Sequence, residues 1–120
     1  MRLMVLALTA ILMGVAQARA HDSANVMLPG CRDYIDVGSG RTPMKDADLG
    51  AAAECLGTIK TLLVLEELLT PPLRFCRPKG VTINDAIELA VREIEARPQM
   101  KQKSFVIMAI AAFQQHWPCR

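Results

Sequence analysis

The sequence predicts an all-α fold, a small domain of four or five helices stapled by two disulfides. Three observations carry that prediction. Four segments repeat their apolar residues at helical intervals and are separated by turns containing proline or glycine. No stretch of useful length alternates apolar and polar residues as a half-buried strand does. Four cysteines, Cys31, Cys55, Cys76 and Cys119, all follow an N-terminal segment with the marks of an export signal.

That segment, MRLMVLALTAILMGVAQARA, carries Arg2, an apolar run from Leu3 to Ala16, and a small-residue ending at Ala18 and Ala20. Residues 1–20 therefore read as a cleavable secretory signal, too short and wrongly flanked for a spanning helix. Leu28-Pro29-Gly30-Cys31 has the outline of a lipoprotein box. Polar residues from Gln17 to Asn25 separate it from the apolar run, which makes Cys31 a disulfide half instead. Residues 21–120 then form one domain, and the protein is periplasmic, with no membrane anchor. Losing Arg2 and Arg19 lowers Lys+Arg from 14 to 12, equal to the 12 Asp+Glu. A neutral surface without a basic stripe excludes the electrostatic footprint of a nucleic-acid binder.

The first helix is expected over residues 23–36, with Val26, Met27, Cys31, Tyr34 and Ile35 as its apolar side. Pro29 predicts a break or a late start there. After a loop with three glycines, Asp46 or Asp48 caps a second helix reaching residue 69. Leu49, Ala52, Cys55, Leu56, Ile59, Leu62, Leu63 and Leu69 follow its period, and Val64, Leu65 and Leu68 widen the stripe almost all round. A helix so apolar is either central in the core or buried against a second subunit. Pro71, Pro72 and Pro78 make the next connector rigid. In the third helix Thr82 is the cap, Asp85 its capping-box partner and Pro98 the stop. Ile83, Ala86, Ile87, Ala90, Val91 and Ile94 form the inner stripe. Glu88, Arg92 and Glu95 lie opposite, with Glu88 and Arg92 at pairing distance along the helix. The fourth helix is expected over residues 100–117, with Phe105, Met108, Ala109, Ala112, Phe113 and Trp117 on one face.

Four cysteines allow three pairings. Cys76 precedes the third helix and Cys119 follows the fourth, so an antiparallel hairpin of the two would bring them within bonding range. Cys31 and Cys55 would staple the first two helices in the same way. A zinc site at Cys76, His116 and Cys119 is the rival, but no C-x-x-C pair or common ligand spacing supports it.

Chemistry is scarce. His21 would be the new N-terminus, and His116 ends a helix beside Trp117, where it caps or packs. Oxidised cysteines offer no thiolate. Glu66 and Glu67 are adjacent and splay apart, and Asp46-x-Asp48 lacks the later ligands of a calcium loop. Met27, Met44, Met100 and Met108 read as core filling. No catalytic, cofactor-binding or metal residue is assigned, and a binding protein is expected. A periplasmic stress chaperone or a small lipid carrier would share this composition.

The second half of the chain, FCRPKGVTINDAIELAVREIEARP followed by QMKQKSFVIMAIAAFQQHWPC, resembles the Rap/Tai family of type VI secretion immunity proteins. Phe75, Cys76, Pro78, Gly80, Val81, Thr82, Pro98, Ala111, Ala112, Pro118 and Cys119 carry the likeness, with Cys55-Leu56-Gly57 and Ile59 as a shorter motif upstream. Thr61 stands where the family usually has a second glycine, and Asp85 where it often has an amide. The resemblance implies a periplasmic all-helical protein, commonly a homodimer, that binds a toxic effector such as a peptidoglycan amidase and occludes its cleft. No effector-binding residue transfers by motif. On physical grounds the expected contact residues are Arg77 and Lys79 of the loop, with Glu88, Arg92 and Glu95 on the third helix.

Overall fold

The computed structural model describes residues 22–120; the expected signal segment lies outside them. The described residues form four α-helices: α1 (Ala24–Gly38), α2 (Leu49–Leu65), α3 (Ile83–Glu95) and α4 (Phe105–His116). Short 3-10 turns stand at Met44–Asp46, Glu66–Leu68 and Pro98–Met100, and no strand occurs among the described residues. Both disulfides join sequence neighbours, Cys31 to Cys55 and Cys76 to Cys119, as the hairpin argument expects.

α1 and α2 pack as one pair. Cys31 and Cys55 are both fully buried between them, and Gly30 lies at the crossing. A Cβ added at Gly30 would overlap the Ala51 backbone, 2.6 Å from its carbonyl carbon. The helices approach this closely because Gly30 has no side chain, a role that the sequence reading does not give it. Gly57, by contrast, has open space where its side chain would be, and the hydroxyl of Thr61 donates 2.8 Å back to the Gly57 carbonyl. Thr61 therefore disturbs no helix approach within this chain.

α1 starts at Ala24 and is continuous through Pro29, against the expected break or late start. Proline removes one amide donor and with it one rung of the ladder. Pro29 is exposed, so the carbonyl it leaves unpaired lies on the watered side of the helix. Val26, expected on the apolar side, is 49% exposed, while Leu28 takes its place in the core.

The start of α1 is held by a distant turn. The amides of Ala24 and Asn25 donate to the carbonyls of Lys103 and Lys101 at 2.9 and 2.8 Å, filling two donors that a helix N-terminus leaves without partners. In return the Phe105 amide donates to the Asp22 carbonyl at 2.7 Å, and the Ser104 hydroxyl donates to the Asp22 carboxylate at 2.6 Å. This stitching explains why α4 begins at Phe105 rather than near residue 100. The carbonyls of residues 101 and 103 serve α1, so they are lost to an α4 ladder.

α2 begins as expected: the Asp48 carboxylate accepts from the Ala51 amide at 3.0 Å. It ends at Leu65, four residues before the expected limit, and tightens into the 3-10 turn. Its apolar stripe is only partly buried. Ala52, Cys55, Ile59, Leu62 and Leu63 face the core, whereas Val64, Leu65 and Leu68 lie outside, Val64 at 70% exposure. Met44 is exposed as well, so it does not fill the core as expected.

α3 carries the capping box. The Thr82 amide and hydroxyl each donate 2.8 Å to the Asp85 carboxylate, and the Asp85 amide donates 3.2 Å to the Thr82 hydroxyl. Gly80, with φ at +85°, makes the turn into this cap in a conformation that other residues rarely adopt. At the far end Phe75, Phe113 and Trp117 close the core. Phe113 and Trp117 stack with centroids 4.7 Å apart, and Phe75 tilts against Phe113 at 5.1 Å.

Two outcomes follow from these contacts. Gly30→Ala must push α1 off α2 and should cost about 2 kcal/mol, roughly 10 °C in melting temperature for a domain of this size. An unchanged thermal melt would show that the crossing separates freely. The Thr82 amide, then the Thr82 hydroxyl, hold the Asp85 carboxyl below its ordinary 3.8. A depressed folded value means that the cap stabilises fully above pH 3.8 and is lost as pH falls through the lower folded value. Asp85→Asn should therefore lower the melting temperature at neutral pH, and the gap from wild type should narrow in acid. A gap that stays constant well below pH 3.8 would contradict this.

Candidate partner-binding face

The other elements leave the outer side of α3 uncovered. Its inner stripe, Ala86, Ile87, Ala90, Val91 and Ile94, is buried as the spacing predicts, and Leu89 joins it at 6% exposure. Outward stand Asn84, Asp85, Glu88 and Arg92, all exposed.

Two depressions flank Glu88. On one side Val81, Asp85, Leu89, Arg92, His116 and Trp117 line a polar groove of about 300 Å³, with Glu88 on its margin. On the other, α1, α2 and the start of α3 enclose an apolar cleft of about 430 Å³, again with Glu88 among its lining residues. Glu88 is thus the ridge between the two hollows.

The five expected contact residues do not behave alike. Glu88 and Arg92 lie together on the groove, but the i,i+4 ion pair expected between them does not form. The Arg92 guanidinium turns to Glu93 instead, 3.8 Å away. Glu95 is engaged at the surface by an ion pair with Arg32 of α1, which links α3 to α1. Arg77 is half-buried and faces Glu66 at 3.5 Å, tying the loop after Cys76 to the end of α2. Lys79 is exposed at the tip of that loop. Of the five, Glu88, Arg92 and Lys79 are the most exposed, while Arg77 and Glu95 are partly buried and paired with Glu66 and Arg32.

The loop and the groove share one end of the molecule. The Cys76 amide donates to the Trp117 carbonyl at 2.8 Å, and the Cys76–Cys119 bond closes over the same point. Both sulfurs of the imagined zinc site are consumed in that bond, and among the described residues no cluster of metal-ligating side chains occurs.

Glu93 escapes the sequence reading. Its carboxylate receives His116 Nε2 at 3.0 Å and Arg97 at 4.0 Å, besides Arg92, although its side chain is only 17% exposed. Arg97 also donates 2.6 Å to the Gln115 side chain. The four-residue spacing of Glu93 and Arg97 was the available signal; the His116 contact depends on how α4 packs and has no local signature. An imidazole held by a carboxylate can serve as a base, but no hydroxyl or thiol lines this groove for it to activate. What the face offers is shape and charge.

Among the described residues no helix is long and apolar enough to cross a membrane. A family model of Rap1a immunity proteins matches residues 12–119, nearly the whole chain. No curated protein and no solved structure matches. Two disulfides, a helical frame without strands and a family match that spans both halves agree with one another. The chain belongs to the Rap1a immunity protein family.

Proposed function

We propose that the protein is exported with loss of residues 1–20 and protects its cell in the periplasm by binding a type VI effector, a peptidoglycan amidase, and blocking its active-site cleft. The family match over residues 12–119 carries this reading. The two disulfides support it, since such bonds persist in an oxidising compartment. The outer face of α3, with Glu88 and Arg92 exposed above a rigid core, is the contact surface, and Lys79 borders it. Val64, Leu65 and Leu68 supply a separate apolar surface on which a second copy of the chain sits.

Binding here needs no catalysis from this chain. An inhibitor that fills a hydrolase cleft gains its effect from excluded substrate, and a stapled frame loses little freedom on docking. The decisive experiment expresses the chain in cells that export an amidase effector and scores survival, alongside an in vitro cell-wall cleavage assay. The wild-type chain should rescue growth and inhibit the amidase. A double charge reversal, Glu88→Arg with Arg92→Glu, should weaken inhibition by about tenfold or more, in line with lost charge complementarity at an interface. Rescue by the reversed variant as complete as by wild type would move the contact off α3. In sedimentation, the protein should run as a dimer that Leu68→Glu converts to a monomer; a wild-type monomer would remove the second copy.

A further inference from the structure

The apolar cleft beside Glu88 has a chemistry of its own. Ile35 of α1 and Leu49, Ala52, Ala53 and Leu56 of α2 give it an apolar lining, and its volume of about 430 Å³ exceeds that of any one side chain. Tyr34 braces one wall, its hydroxyl donating 2.6 Å to the Asn84 side chain. Leu49 is 49% exposed, an apolar side chain left against water at the mouth of a preformed hollow.

The rim has a sign. Glu88 is the one charged residue lining the cleft, and no ion pair engages it among the described residues. The nearby guanidinium groups are committed elsewhere. Arg41 holds Asp36 through two hydrogen bonds of 2.9 and 2.7 Å, Arg32 pairs with Glu95, and Arg92 turns to Glu93. An apolar floor with an uncompensated carboxylate at its edge selects for an apolar group next to a cation. It selects against fatty acids and anionic lipids, whose head groups Glu88 would repel.

We propose that this cleft is the anchor pocket for the protein partner, taking one bulky apolar side chain whose neighbour in sequence is lysine or arginine. The assignment rests on the immunity reading, since it describes the chemistry of that partner. A buried apolar anchor in a pocket, with a polar contact on the rim, is how most interface energy concentrates in few residues. The cleft and the groove share Glu88, so one segment can lay its anchor in the first and its polar groups along the second.

The test uses blocked tetrapeptides and amide chemical shifts of the oxidised protein. Acetyl-Gly-Leu-Arg-Gly-amide should give saturable shifts at Ala52, Ala53, Leu56 and Glu88. The Leu-Glu and Ala-Arg counterparts should bind more weakly. Glu88→Gln should weaken the Leu-Arg peptide by about two- to fivefold, the range of an exposed ion pair, and Glu88→Lys should reverse the preference toward Leu-Glu. Ala53→Trp, at an exposed position that tolerates bulk, should abolish the shifts while leaving the thermal melt unchanged. Equal shifts from all three peptides, or none that saturate, would overturn the proposal. So would self-association abolished by the Ala53→Trp variant, which would hand the cleft to Leu73 and Arg74 of a second copy. The two readings fail separately. Cells protected by a protein that ignores the peptide would remove the pocket alone, and peptide binding without protection would remove the immunity function alone.

Discussion

The closure at Cys76 and Cys119 is the constraint on which the rest of the molecule depends. It joins the segment entering α3 to the segment leaving α4 across 43 positions of sequence. In the chain-entropy account, closing a loop of that length is worth about 4 kcal/mol, and the 24-residue loop of Cys31–Cys55 about 3.5. A domain of about 100 residues is stable by roughly 5–15 kcal/mol in all. The bond also has a packed floor: Phe75, Phe113 and Trp117 meet directly beneath it, and the Cys76 amide bonds the Trp117 carbonyl. Cys119 thus ties the segment after α4 to a corner at the edge of the core and restrains it from fraying.

From that corner the geometry of the outer face follows. The disulfide fixes the loop bearing Arg77 and Lys79 against Trp117, and His116 reaches Glu93 in the last turn of α3. Arg32 and Glu95 then fasten that same end of α3 to α1. With both ends of α3 held, its outward residues occupy fixed positions relative to the α1–α2 pair.

Much of this frame was legible because it is written in local chemistry. Thr82 and Asp85 form a cap within four residues, and Asp48 caps α2 by the same short-range logic. The inner stripe of α3 follows helical period, and adjacent helices give the cysteine pairing. What was illegible depends on contacts far apart in sequence. Pro29 inside α1 is tolerated because that side of the helix faces water, which no window around Pro29 reveals. The late start of α4 follows from carbonyls of residues 101 and 103 being used by α1. Gly30 looked like part of a processing signal, and its actual role appears only when Ala51 is brought against it. Among the site residues, charge type was readable but partner was not. Glu88, Arg92 and Glu95 look equivalent on a helical wheel, yet Arg32 pairs with Glu95 and Glu93 captures Arg92.

That sorting of charges bears on how a small protein can be both rigid and selective. Exposed ion pairs contribute little stability each, so pairs such as Arg32–Glu95, Arg41–Asp36 and Arg92–Glu93 matter more for where they leave charge than for the energy they add. They compensate the basic groups around the cleft and leave Glu88 uncompensated between an apolar hollow and a polar one. Disulfides supply stability that a core of this size would otherwise draw from more buried apolar surface. Helix faces can then stay outside the core, as Val64, Leu68 and Leu49 do, without the fold failing. The exposed apolar surface and the unpaired carboxylate are therefore consequences of one arrangement. Covalent closure carries the frame, and the surface is released for recognition.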